Sequence, residues 1–154
     1  MSRAFVKEPD TDAVDDLPDR PVSQHPNYVT ATGLAAIDET LRVLRDEWTA
    51  AQKAADRALL ARVARDLRYW NARRASAQLA PDPPDDGVVH FGSTVTILRA
   101  DGRRQVFRIV GEDEADPAAG TLSWVSPLAR AVLRRTEGDK VMVAGQPAEI
   151  VAVG

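Results

Sequence analysis

Residues 34–70 read LAAIDETLRVLRDEWTAAQKAADRALLARVARDLRYW, and the spacing of apolar side chains in this stretch decides the fold. Leu34, Ile37, Leu41, Leu44 and Trp48 recur at intervals of 3, 4, 3 and 4, an a/d heptad seam that continues more weakly through Ala51 and Ala55. Leu60, Val63, Leu67 and Trp70 repeat the spacing, after which Arg74 breaks it and Ala77 partly restores it. No proline or glycine falls between Gly33 and Pro81, so local propensity alone allows one unbroken helix. Such a helix would leave its apolar stripe in water. Folding back as an antiparallel hairpin, with a reversal near residues 50–56, buries the stripe within one chain; a long helix that dimerises through the same stripe is the alternative. Trp48 and Trp70 occupy seam positions and read as core. Thr30 or Thr32 can cap the start, and Pro81, Pro83 and Pro84 end what precedes them.

On either side of this stretch the chain changes character. Residues 1–26 hold three basic and six acidic side chains, net −3, with Pro9, Pro18, Pro21 and Pro26 among the aspartates. A segment this polar buries no core and is expected to be a flexible, mobile or loosely docked acidic arm, in which Phe5 and Val6 could dock. Residues 27–80 carry nine basic against six acidic side chains, and residues 81–154 eight against eleven. The division expected is an arm over 1–26, a coiled-coil hairpin over 27–80, a linker over 81–87 and a second domain over 88–154.

Past the prolines the pattern alternates. Residues 94–99, an Asp101-Gly102 turn and residues 105–110 read as a β-hairpin, because Asp-Gly supplies the positive φ angles of a tight turn. A third strand is expected at 121–125. Ser126 then reads as a helix N-cap with Pro127 at the first helical position and a short helix over 128–135. Residues 140–144 and 148–153 complete an antiparallel sheet, with Gly145-Gln146-Pro147 between them. The fold class is α+β: an N-terminal antiparallel helical hairpin plus a small antiparallel sheet with one helix on a face.

A chain of 154 residues with 44% apolar and 28% charged content is an ordinary soluble, folded chain. No window approaches ~18 consecutive apolar residues, and residues 1–10 lack the apolar core and cleavage site of a signal peptide. No membrane association and a cytoplasmic location are expected. With no cysteine, disulfides, thiolate metal sites and cysteine nucleophiles are excluded; His25 and His90 are the only histidines. No catalytic residue, metal site or cofactor is assigned.

Residues 107–116, FRIVGEDEAD, and 123–130, SWVSPLAR, followed by Ala131-Val132-Leu133 and Glu137-Gly138-Asp139, carry a specific pattern. It resembles the C-terminal domain of the GreA/GreB family of bacterial transcription elongation factors. The resemblance extends through Val89 to Gly92 and Arg68-Tyr69 to Pro26-Asn27-Tyr28-Val29-Thr30, and in proportion the chain is also similar to the short-coiled-coil regulator of nucleoside diphosphate kinase. It implies an N-terminal coiled coil and a C-terminal domain like the FK506-binding (FKBP) prolyl isomerase fold. It further implies docking of that domain on the secondary-channel rim of RNA polymerase, with the coiled coil reaching toward the polymerase active site. The docking residues carried over are Trp124, Val125, Ser126, Pro127, Leu128, Ala129 and Arg130. Val125 departs from the family, which often places Asp or Asn directly before Ser-Pro, and makes the patch more apolar.

In the family, an Asp and a Glu three residues on, at the coiled-coil tip, help hold polymerase's second magnesium ion, so that polymerase hydrolyses its own backtracked transcript. This chain lacks that run. Placing Asp56 at the Asp position puts Leu59 at the Glu position, and placing Asp66 there puts Tyr69. The hairpin is shortened by two turns or more in each arm, a loss of reach above ~10 Å at ~1.5 Å per residue. Asp46, Glu47 and Asp56 are the only acids near the reversal and the candidates to substitute for the tip pair; the alternative reading is that they are solvated helix-surface charges. The second helix is basic, with Arg57, Arg62, Arg65, Arg68, Arg73 and Arg74 against Asp66. That face suits nonspecific contact with RNA or DNA, or an acidic polymerase surface, while Arg stems also simply cover apolar seams.

The expectation is a monomeric, non-enzymatic RNA-polymerase-binding factor that regulates transcription elongation without strong stimulation of transcript cleavage. Two other classes stay open. An FKBP-like prolyl isomerase or chaperone is disfavoured by the few aromatics of the second domain, Phe91, Phe107 and Trp124. A coiled-coil interaction module would dimerise through the heptad seam, and its molar mass in solution would reveal it.

Overall fold

The computed structural model describes residues 17–154, and the expectations for residues 1–16, including docking by Phe5 and Val6, lie outside the described residues. The described chain forms two compact units, one of Ile37–Ser76 with the residues up to Gln24, the other of His25–Ala36 with Ala77–Gly154.

The first unit is an antiparallel helical hairpin. Helix α1 spans Ala31–Ala54 and α2 spans Arg57–Ser76, so only Ala55 and Asp56 separate them. Ala55 takes φ 50, the left-handed conformation of a helix C-terminal stop. The N–H of Ala55 donates to Gln52 O at 3.2 Å and that of Asp56 to Ala51 O at 3.1 Å, closing α1. Asp56 then caps α2, its Oδ1 accepting from Leu59 N–H at 3.1 Å. At the other end Arg74 donates to Asp38 at 2.7 Å, fixing the antiparallel alignment. Ile37, Leu41, Leu44, Ala51, Ala61 and Val63 are buried, and Trp48, Leu60, Leu67 and Trp70 are half-buried, so the seam forms the interface. Two positions differ from expectation. Ala55 leaves the seam to make the reversal, and Arg73, counted with the basic surface, is 1% exposed.

The second unit is built on a five-stranded sheet of order β5-β4-β3-β7-β6. Its strands are β3 Thr94–Arg99, β4 Arg104–Val110, β5 Thr121–Ser123, β6 Lys140–Val143 and β7 Gln146–Val153. Alternation puts Val95 and Ile97 of β3, Phe107 and Ile109 of β4, Val141 and Val143 of β6, and Ala148 and Ile150 of β7 in one core with Val89, Ala129 and Val132. Helix α3, Pro127–Val132, supplies the last two. Ala144 and Gly145, at φ 51 and 77, make a two-residue turn between β6 and β7, so β7 starts at Gln146 rather than 148.

The sheet is mixed rather than wholly antiparallel. Strand β5 pairs in parallel with β4, Arg108 opposite Thr121, because the chain returns through a connection over 111–120 containing a 3₁₀ turn at Pro117–Ala119. Helix α3 is shorter than expected for a long-range reason. Leu133 leaves helical geometry, Arg134 takes φ 68, and the backbone of Arg134 and Arg135 exchanges hydrogen bonds with Val89, each at 2.8 Å. A second, two-stranded parallel pairing, β1 Tyr28–Val29 with β2 Gln78–Leu79, flanks the helices in sequence and carries no pattern of its own.

Candidate docking surface

The segment over 123–130 is held by its own polar groups. Trp124 N–H donates to Val110 O at 3.0 Å, Val125 N–H to Ser123 Oγ at 3.3 Å, and Ser126 N–H to Ser123 O at 2.9 Å. Ser126 is in extended geometry, φ −65 and ψ 152, and its Oγ accepts from Ala129 N–H at 3.4 Å, with Pro127 at the first helical position. Short helix α3 is thereby started by the residue types that favour a start. Ala129 and Val132 are buried in the core, Leu128 is half-buried, and Pro127 and Arg130 are exposed. Of the seven residues expected to dock, Ala129 is thus a core residue and Pro127 and Arg130 are the most accessible.

Leu122, Ser126, Pro127, Leu128, Met142, Val143 and Ala144 line an open groove of about 360 Å³. Met142 is 62% exposed, the most exposed of the large apolar side chains described. It was not among the expected residues, although the alternation of β6 signals it: Val141 and Val143 point inward, so Met142 points out.

Trp124 is half-buried and packs edge-on against Tyr28, centroids 5.2 Å apart, and His25, 5.9 Å apart; Tyr28 also meets Phe91 at 6.0 Å. The residues ahead of α1 therefore complete an aromatic cluster behind the 123–130 segment, and the bulk of Trp124 is used in it. The Gly-Glu-Asp-Glu run has a structural role as well. Glu114 accepts hydrogen bonds from the backbone N–H and the hydroxyl of Thr30, the residue that caps α1. Gly111 lies so close to Tyr28 that a Cβ would stand 2.4 Å from its carbonyl oxygen.

The hairpin end carries the other expected residues. Asp46 is bound by Arg42 at 3.1 Å within α1 and lies eight residues before its end, about 12 Å back along the axis at ~1.5 Å per residue. Glu47 is exposed beside it, and Asp56 is committed to capping α2. Among the described residues no group of three or more His, Asp or Glu side chains is placed to hold a metal ion. The basic face of α2 divides. Arg57 and Arg62 are exposed, Arg65 is half-buried, and Arg68 donates to Asp19 at 2.5 Å and to Leu17 O at 3.2 Å. Among the described residues no helix is long and apolar enough to cross a membrane.

The family model described as Transcription elongation factor, GreA/GreB, C-term matches residues 83–153. Transcription elongation factor GreB of Neisseria meningitidis is 43% identical over 82 residues, covering 51% of this chain and 50% of that protein. GreB of Yersinia pestis is 31% identical over 136 residues, covering 76% of this chain and 80% of that protein. The chain thus spans about half the length of the Neisseria relatives it matches. Among solved structures, GreA factor homolog 1 of Thermus thermophilus is 17% identical, with 84% of this chain and 99% of that one covered and a TM-score of 0.41.

Proposed function

As the chain belongs to the GreA/GreB family of transcription elongation factors, we propose that it binds RNA polymerase through the unit carrying α3, docking at the secondary-channel rim and regulating elongation. The observation that carries this reading is the groove beside α3. It presents Pro127, Leu128 and Met142 to solvent on a rigid segment, with Arg130 exposed one turn on. An apolar centre with a cation at its edge is the composition of a protein-binding surface.

The hairpin supports a role without strong stimulation of transcript cleavage. Inner-sphere oxygen ligands approach a metal within ~2–2.6 Å, and the acids near the reversal are set back along α1 or engaged in a cap. Function then rests on occupancy of the channel rather than on donated carboxylates.

Co-purification with polymerase tests the binding. The parent chain is expected to co-elute with the core enzyme, and a Pro127→Ala, Arg130→Glu variant to lose at least tenfold in affinity. No association of the parent chain, or full retention by the variant, would sink the reading. On a backtracked elongation complex, cleavage at the unassisted rate is expected; robust stimulation would overturn the second half alone.

A further inference from the structure

We propose that residues 17–20 form an autoinhibitory strap over a face of α2 that binds single-stranded nucleic acid. At ~3.6 residues per turn, Arg62, Arg65, Arg68 and Tyr69 fall on the side of α2 away from Leu60, Val63 and Leu67 of the seam. Cations interleaved with an aromatic ring make a surface that follows phosphates and stacks a base. In the structure that surface is taken. The Arg20 guanidinium lies 4.0 Å from the centroid of the Tyr69 ring and 5.9 Å from that of Trp70, and donates to Asp66 at 3.2 Å. Trp70, on the seam side, meets Tyr69 edge to face at 5.1 Å and so fixes the ring on which a base would stack. Asp19 accepts from Arg68 Nε at 2.5 Å, and Arg68 Nη2 donates to the carbonyl of Leu17.

The strap imitates what it excludes. A planar cation covers the ring on which a base would stack, and a carboxylate sits on the guanidinium that a phosphate would take. Its contacts also suit release. The Arg20 and Asp66 side chains are 38% and 25% exposed, and those of Arg68 and Asp19 48% and 73%, so the pairs are screened by salt and hold no core together. Once the strap leaves, Asp66 keeps a neighbour in Arg65, 3.9 Å away. Arg57 and Arg62, exposed and without an ion pair among the described residues, extend the basic face beyond the strap as a landing site. The inference concerns this face alone and is independent of polymerase docking.

The test uses the full chain with Asp19→Ser and Arg20→Ser together, a change that leaves net charge untouched. The probe is a fluorescent single-stranded RNA homopolymer of about fifteen nucleotides, followed by anisotropy at low salt. The double variant is expected to bind about five- to tenfold more tightly than the parent, the factor such exposed contacts withhold. Arg20→Lys, which keeps the charge and loses the planar stack, should fall between them. Adding Arg62→Ser and Arg65→Ser should abolish the gain, and circular dichroism reports that the hairpin persists. Equal binding by parent and double variant overturns the proposal, as does a gain that survives loss of Arg62 and Arg65. Tighter binding to polymerase with none to the RNA would overturn it too, assigning the face to protein.

Discussion

Glu114 holds Thr30 by two hydrogen bonds: Oε2 accepts from the Thr30 backbone N–H at 3.1 Å and Oε1 from its hydroxyl at 2.5 Å, across 84 residues of sequence. The hydroxyl oxygen in turn accepts from Gly33 N–H at 3.0 Å, so the cap of α1 is itself capped by a carboxylate. An anion at this end is favoured by the unsatisfied N–H groups and their aligned dipoles.

Replacing Glu114 by Ala is expected to cost about 1–2 kcal/mol, read in thermal or denaturant unfolding. Gly33 shares the site, since a Cβ there would stand 2.1 Å from Glu114 Oε2. Gly33→Ala therefore expels the carboxylate, and its helix-propensity gain of about 1 kcal/mol offsets part of that loss. The two changes should be non-additive, with the double variant no less stable than Glu114→Ala alone. Gly111→Ala behaves differently. Its Cβ would meet a backbone oxygen at 2.4 Å, which no side-chain rotation relieves, so its cost should persist in the Glu114→Ala background.

The reversal yields a second prediction that separates structure from metal chemistry. Asp56→Ala should destabilise by about 1 kcal/mol through loss of the α2 cap, whereas Asp56→Ser, which keeps a capping oxygen and removes the carboxylate, should be near neutral. Ala55→Gly should stabilise by up to about 1 kcal/mol, because φ 50 strains a residue with a Cβ. Activity on an elongation complex should follow none of these; an effect of Asp56→Ser equal to that of Asp56→Ala would assign the carboxylate a function.

What was legible in the sequence was what local pattern controls. The 3-4 spacing located both helices, and the absence of a glycine at the reversal did not hide it, since Ala55 takes the left-handed turn itself. Asp101-Gly102 and Ser126-Pro127 marked a turn and a helix start that the structure contains, although only Gly102, at φ 85, takes a positive φ and the turn spans the four residues 100–103. What was not legible depends on distant partners. The end of α3 is set by backbone pairing with Val89, the parallel placement of β5 by its return over β4, and the Thr30 cap by Glu114. In the 123–130 segment, the packing of Trp124 on His25 and Tyr28 was not legible. Met142 needed only the period of two applied to one short strand.

Acid should loosen two turns of the second unit. Asp101 accepts from the backbone N–H and then the guanidinium of Arg103, and these hold its carboxyl below the ordinary range. Asp86 is lowered likewise, first by His90 and then by the Val88 N–H. A carboxyl depressed on folding contributes stability that is present above its unfolded value and is lost as pH falls through the folded one. Protection of the Arg103 and Val88 amides should therefore decline only below about pH 4, the ordinary carboxylate range. Asp101→Asn should flatten that dependence at Arg103 alone; an unchanged profile would show that the hydrogen bonds do not bias ionisation.

The proposed docking at the groove beside α3 would combine an apolar contact with an electrostatic one, and the two are separable. Met142 lies on the outward face of β6, 62% exposed, so replacing it leaves the core of Val141 and Val143 intact. Met142→Glu should leave the unfolding midpoint within about 0.5 kcal/mol of the parent, as surface changes do. Burying a carboxylate against an apolar partner is costly, so the same change should weaken polymerase binding by tenfold or more. Met142→Leu, similar in volume and apolar, should bind as the parent does. Arg130→Ala differs in kind: a rim charge acts mainly on association, so its loss should reduce the on-rate and its salt dependence while dissociation stays nearly constant. Equal dissociation rates for Met142→Glu and the parent would place the interface elsewhere on the unit.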